Sequence, residues 1–160
     1  MKINFNESQT KINLMRAFAG ESQARQRYYQ SALIAQKQYL VSLERMFRFT
    51  AEQEEQHAII FFNLFKEAAG ENIEITAGYP ADAYSDIQQL LDSAAKAESD
   101  EFGIVYPDFA LIAQNEGFTE AASKFKMIGE IENSHRARFE HYAKLWRDGM
   151  MFRSESTEER

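Results

Sequence analysis

Residues 50–58 read TAEQEEQHA, and residues 132–139 read ENSHRARF. Each stretch holds a Glu-x-x-His pair: Glu54 with His57, and Glu132 with His135. A spacing of three puts both side chains on one face of a helix. The company these pairs keep decides the fold. Glu54 lies seven residues after Phe47 and seven before Phe61, and Glu132 lies seven after Phe125 and seven before Phe139. Seven residues is close to two helical turns, so both carboxylates stand inside apolar stripes, where a lone charge is costly. The two pairs are 78 residues apart (132 − 54 and 135 − 57). One such pair arises easily on a solvated helix; two at matching stripe positions are a strong signal for a metal site.

Two further helices carry the same anomaly. Glu21 lies seven after Leu14 and seven before Tyr28. Glu98 lies seven after Leu91 and seven before Val105, with Glu101 three further on. Five acids cannot share a low-dielectric interior without counter-charge. Divalent metal ions supply it. Two Glu-x-x-His pairs plus single glutamates from the other helices form the dinuclear carboxylate pattern of ferritin-like bundles. The candidate ligands are therefore Glu21, Glu54, His57, Glu98, Glu101, Glu132 and His135. Oxygen and imidazole donors suit iron, with manganese as the alternative. Glu52, Glu55, Asp100 and His141 fall off the stripes and read as solvated; Phe61, Phe62 and Phe65 read as core.

The rest of the chain agrees with four long helices. Only seven Gly and two Pro in 160 residues leave few places to turn. Apolar periodicity predicts helices over about 8–37, 42–69, 86–115 and 118–148. Ser85 followed by Gln88 reads as a capping box for the third. Gly70, Gly117 and Gly149 read as terminators, whereas residues 38–41 hold neither Gly nor Pro. Two short connections and one long crossover, about residues 70–85, define an all-α, ferritin-like four-helix bundle with the crossover between helices two and three. Pro107 falls inside the third helix and predicts a kink or local widening near Glu98 and Glu101. The intervals Glu21–Glu54 (33) and Glu98–Glu132 (34) predict a site with approximate two-fold symmetry. Residues 1–150 are expected to form the bundle and residues 151–160 a frayed polar tail.

Composition excludes other classes. The charge is −7, from 18 basic and 25 acidic residues, which argues against nucleic acid as a partner. Zero Cys excludes disulfides, thiolate metal sites and a Cys nucleophile. Residues 1–8 lack the apolar segment of a signal peptide, and the apolar run 58–65 is broken by Asn63. A cytoplasmic protein with no membrane partner is the expectation.

Four stretches, Ala17–Arg25 (AFAGESQAR), Thr50–Ala58, Glu98–Pro107 (ESDEFGIVYP) and Glu132–Phe139, together resemble the rubrerythrin family. The resemblance spans about residues 13–150. It implies a di-iron centre on the seven candidate ligands, with Glu54 and Glu132 bridging. It also implies that one iron exchanges between Glu101 and His57 as the redox state changes. Tyr28 and Tyr106 match tyrosines that hydrogen-bond ligand carboxylates. Full-length members add a rubredoxin module that holds iron with four Cys, so this Cys-free sequence resembles the members lacking it.

The activity this resemblance implies is reduction of hydrogen peroxide to water, in the setting of oxidative stress. Electron transfer would come from an external donor such as a rubredoxin or flavoprotein, and the working form would be a homodimer. The alternative is a ferroxidase or iron-storage protein of the ferritin-like class. A manganese-loaded catalase-like enzyme is a third reading.

Overall fold

Ser8 starts the first long helix: its Oγ accepts a hydrogen bond from the Lys11 amide at 3.0 Å. A computed structural model describes residues 1–151. Its long elements are α1 (Gln9–Lys37), α2 (Val41–Phe62), α3 (Ile87–Asp100), α4 (Tyr106–Asn115) and α5 (Thr119–Arg147). A π-helical segment, Glu101–Val105, joins α3 to α4, so these three pieces make one long interrupted helix. The result is an all-α four-helix bundle; no strand occurs among the described residues, including the β-leaning 72–76. Nor is any helix among the described residues long and apolar enough to cross a membrane.

The three tight ends share one geometry. Leu40 N donates to Ala35 O, Phe118 N to Ala113 O and Met150 N to Leu145 O, each closing a Schellman turn. Gly117 and Gly149 supply the left-handed residue at two of them. At the first, where glycine is missing, Tyr39 takes φ 60° instead.

Two boundaries depart from the sequence expectation, and the widening expected at Pro107 is present. Helix α2 stops at Phe62 rather than Ala69, and a short 3₁₀ turn (Lys66–Ala68) follows. The break lets Phe65 and Ala68 turn into the core, while Phe62 stays 58% exposed and is not the core residue its neighbours suggest. The cap of α3 is Asp86, whose carboxylate accepts from Gln89 N at 2.9 Å, and not Ser85. Pro107 widens the helix ahead of itself: Tyr106 N bonds to Glu101 O, five residues back. A proline has no N–H and would clash with the carbonyl of Gly103, and one extra residue per turn relieves both problems.

The crossover follows α1 for most of its length. Arg16 Nε donates to Thr76 O at 3.1 Å, and Tyr79 Oη donates to Arg16 O at 2.6 Å. Further along, Arg27 pairs with Asp82 at 3.3 Å and Gln38 donates to Ser85 O at 3.3 Å. The chain is thereby returned to the end where α1 finishes, so α2 and α3 run parallel.

The apolar interior is two clusters. One includes Tyr28, Leu43, Phe47, Leu91 and Phe139. The other includes Leu14, Phe61, Tyr106, Phe125 and Ile128. Between them lies a polar layer. Met151 packs into the first cluster. The tail expected over 151–160 otherwise lies outside the described residues.

Candidate metal centre

Each of the four helical rods sends carboxylates into the layer between the clusters. α1 places Glu21, α2 Glu54 and His57, α3 Glu98, and α5 Glu132 and His135; all six side chains are essentially removed from solvent. They are there because their neighbours two turns away, such as Leu14, Phe47, Leu91 and Phe139, must be buried on the same stripe.

Ligand atoms converge in two cups. Glu21, Glu54, His57 and Glu132 offer atoms within 4.8 Å of one another, and so do Glu54, Glu98, Glu132 and His135. Glu54 and Glu132 belong to both. His57 Nδ1 lies 2.8 Å from Glu132, 3.1 Å from Glu54 and 3.4 Å from Glu21. His135 Nδ1 lies 2.8 Å from Glu132 and 2.9 Å from Glu54. The rings stack with centroids 5.7 Å apart. The expected two-fold character is visible in this duplication.

Glu101 is the one candidate that joins neither cup. It opens the π segment, is half-buried, and lines a cavity of about 590 Å³ with Arg16, Gly20, Tyr79, Asp100 and Tyr106. Thus four of the five acids expected inside are fully buried, and the fifth lines the cavity. Glu52, Glu55 and His141 are exposed as expected, and Asp100 is partly exposed.

The tyrosines close the layer from opposite ends. Tyr28, packed on Phe139 in one cluster, donates to Glu98 Oε1; Tyr106, packed near Phe61 and Phe125 in the other, donates to Glu21 Oε1. Each holds one oxygen of a carboxylate and leaves the other aimed into a cup. The atoms so aimed have no hydrogen-bond partner outside the cluster: Glu21 Oε2, Glu98 Oε2, Glu54 Oε1, both Glu132 oxygens and His135 Nδ1. Buried polar atoms are rarely left unpaired. Six converging at one level is the donor set that two divalent cations would satisfy.

Electrostatics says the same. Burial, then the charges of Glu132 and Glu54, push Glu21, Glu98 and Glu101 well above the usual carboxylate range. Burial would raise Glu54 too, but His135 and His57 outweigh it and hold it low. Burial would lower the imidazoles, yet the adjoining carboxylates push His57 up to about 12 and His135 up to about 9. Without metal, protons on these rings and acids stand where cations would.

Sequence reasoning missed an outer set of contacts. Gln53 Oε1 meets His135 Nε2 at 3.1 Å and accepts from Arg138 Nη1 at 2.7 Å. Gln53 adjoins Glu54 and Arg138 stands one turn after His135, but a long polar side chain on a helix reads as solvent-facing. The Tyr79 strap over the cavity was also illegible, since its partner is a backbone carbonyl 63 residues away.

A ferritin-like bundle with buried carboxylates and imidazoles at mid-height belongs to the class of dinuclear carboxylate proteins. Comparison with known proteins narrows the class. The family model described as Rubrerythrin matches residues 13–143. Rubrerythrin of Clostridium perfringens is 40% identical over 149 residues, covering 92% of this chain and 76% of that one. Rubrerythrin of Porphyromonas gingivalis is 39% identical over 159 residues, covering 99% and 77%. Among solved structures, fully reduced, all-ferrous nigerythrin superposes with a TM-score of 0.76 at 29% identity, covering 87% of this chain and 70% of that one. Dithionite-reduced symerythrin from Cyanophora paradoxa shares the fold, with a TM-score of 0.73 at 21% identity, covering 90% and 87%. The chain belongs to the rubrerythrin family. Proteins of this type bind two iron ions in a dinuclear site, and reduction of peroxide is the family's general role.

Proposed function

We propose that this protein is a non-haem di-iron peroxidase, reducing hydrogen peroxide to water with electrons from an external donor. The observation that carries the reading is the pair of cups sharing Glu54 and Glu132 beside the cavity lined by Glu101 and Tyr106. In this reading Glu54 and Glu132, which belong to both cups, would help to hold both ions. Glu21 and His57 complete one position, Glu98 and His135 the other. Glu101 stands back on the cavity wall as a further carboxyl that would serve the same ion as His57.

The overall change is H2O2 + 2 e⁻ + 2 H⁺ → 2 H2O. Bound iron supplies the two electrons and the positive charge that stabilises the oxygen as the O–O bond breaks. The chain supplies position, dryness and protons. Tyr28 and Tyr106 keep Glu98 and Glu21 turned toward the ions, the role that hydrogen bonds to ligands serve generally. The aromatic clusters on either side exclude water from the layer. Glu101, pushed above the usual carboxylate range by burial and by neighbouring acids, is placed on the cavity wall to hand over a proton.

The 160 residues contain no Cys, so a thiolate-held electron carrier lies outside them. A rubredoxin or a flavoprotein has the right chemistry to return two electrons per turnover. The working form in this reading is a homodimer.

The test is anaerobic reduction of the iron-loaded protein followed by hydrogen peroxide or O2, with metal analysis of the same sample. Fast reoxidation by peroxide and slow reoxidation by O2 is the expected result. The reverse order overturns the reading in favour of a ferroxidase.

A further inference from the structure

The two imidazoles of the cluster are held differently. The contacts of His57 run from Nδ1 to the carboxylates of Glu54, Glu132 and Glu21. His135 also presents Nδ1 to carboxylates, but its far nitrogen, Nε2, lies 3.1 Å from Gln53 Oε1. That same oxygen accepts from Arg138 Nη1 at 2.7 Å. Arg138 Nη1 donates at 2.9 Å to Thr50 Oγ1 as well, and the Thr50 hydroxyl passes its own proton to Met46 O at 2.9 Å. The guanidinium is further seated over the Phe49 ring, 5.0 Å from its centroid.

These contacts leave one consistent assignment of protons. A guanidinium only donates, and an amide has one accepting and one donating end. The end of Gln53 that faces Arg138 must therefore be oxygen. The same oxygen faces His135 Nε2, so that nitrogen must carry hydrogen. Nδ1 is then the nitrogen that gives up its proton to make way for an arriving ion, and it points among Glu54, Glu98 and Glu132. A flipped Gln53 amide would offer N–H to both neighbours; an imidazole can change tautomer to accept it, but a guanidinium cannot, so Arg138 alone penalises the flip.

We propose that Arg138, acting through Gln53, is a positioning residue that fixes His135 as its Nε2–H tautomer and pre-sets one of the two metal positions. The cup of Glu54, Glu98, Glu132 and His135 is organised before an ion arrives, whereas no such outer lock holds the His57 ring among the described residues. The two positions therefore fill in order, His135 side first. The inference rests on the cluster holding two ions and is independent of the oxidant, so the reoxidation assay above and the metal titration below fail separately.

The experiment titrates the metal-free full chain, labelled with ¹⁵N-histidine, with Zn²⁺ under argon. Ring ¹⁵N shifts are followed by NMR and step affinities by calorimetry. In the wild type, one equivalent is expected to shift His135 Nδ1 and leave His57 in its metal-free state. Arg138→Met is expected to weaken the first step by about 10–100-fold, the usual effect of losing a partner that orients a ligand, and to speed exchange of the His135 Nε2 proton. The double variant Gln53→Glu with Arg138→Met restores the first step, because a carboxylate accepts at either oxygen and needs no orienting cation. Arg138→Lys, which keeps a donor, behaves as wild type and serves if Arg138→Met does not fold. The proposal is overturned by unchanged steps in Arg138→Met, by a double variant as weak as Arg138→Met, by loss of the first step in Arg138→Lys, or by simultaneous filling of both positions in the wild type.

Discussion

Glu54 and Glu132 differ from the other buried acids in belonging to both cups, so each is expected to matter to two ions at once. Glu54→Ala should reduce metal content from two ions per chain to one or fewer, by elemental analysis after reconstitution; retention of both refutes that shared role. The imidazoles set a pH dependence whose sign follows from their shifts. His57 and His135 have folded pKa values pushed up to about 12 and about 9, from 6.5. Such a group stabilises the metal-free fold fully below about pH 6.5, and the contribution is lost as pH rises through the folded value. Metal binding displaces the same protons and so strengthens with pH. Between about pH 6.5 and about pH 9 the Tm of the metal-free protein should therefore fall, while that of the Mn²⁺-loaded protein falls less. A constant gap between the two curves would contradict the proton-for-metal exchange.

At the scale of elements, the first turn is the place where local chemistry and fold disagree. The other two Schellman turns use Gly117 and Gly149, but this one forces Tyr39 to φ 60° with its ring 89% exposed. A non-glycine residue there costs roughly 1–2 kcal/mol, partly offset by the greater unfolded-state entropy of glycine. Tyr39→Gly should stabilise the protein by about 0.5–1 kcal/mol, read as a higher denaturant midpoint at unchanged m-value. The π segment is the opposite case, a local irregularity with a use. It opens at Glu101, which the α-helix still places one turn after Glu98, and it seats Pro107 without breaking the rod that carries both acids.

Across the whole molecule, a polar layer rich in acids divides the interior into two apolar clusters. Without ions, that layer keeps unpaired oxygens between the clusters, so metal should act on global stability and not only on activity. Removal by chelation under reducing conditions is expected to lower Tm cooperatively, with recovery on adding Fe²⁺ or Mn²⁺. Unchanged melting would mean that the layer is content without metal. Particle size separates the two functional readings: a dimer on gel filtration fits a peroxidase with a separate donor, whereas a cage-sized assembly favours iron storage.

Periodicity alone determined the number of helices and the stripe on which each candidate ligand stands. It could do so because a buried stripe must repeat about every two turns, and a carboxylate on that stripe has no other exit. The same logic reached Tyr28 and Tyr106 only through resemblance, since a buried tyrosine on a stripe looks like core until its hydroxyl finds a partner. Tertiary structure decided the rest. That Phe62 turns out and Phe65 in depends on where α2 breaks, and that Glu101 lines the cavity while Glu98 enters a cup depends on how the rod packs against its neighbours. Gln53 reaches His135 and Arg138 across the gap between α2 and α5. These are contacts between residues more than 80 positions apart in sequence, fixed by how the two helix pairs pack and therefore absent from any local pattern.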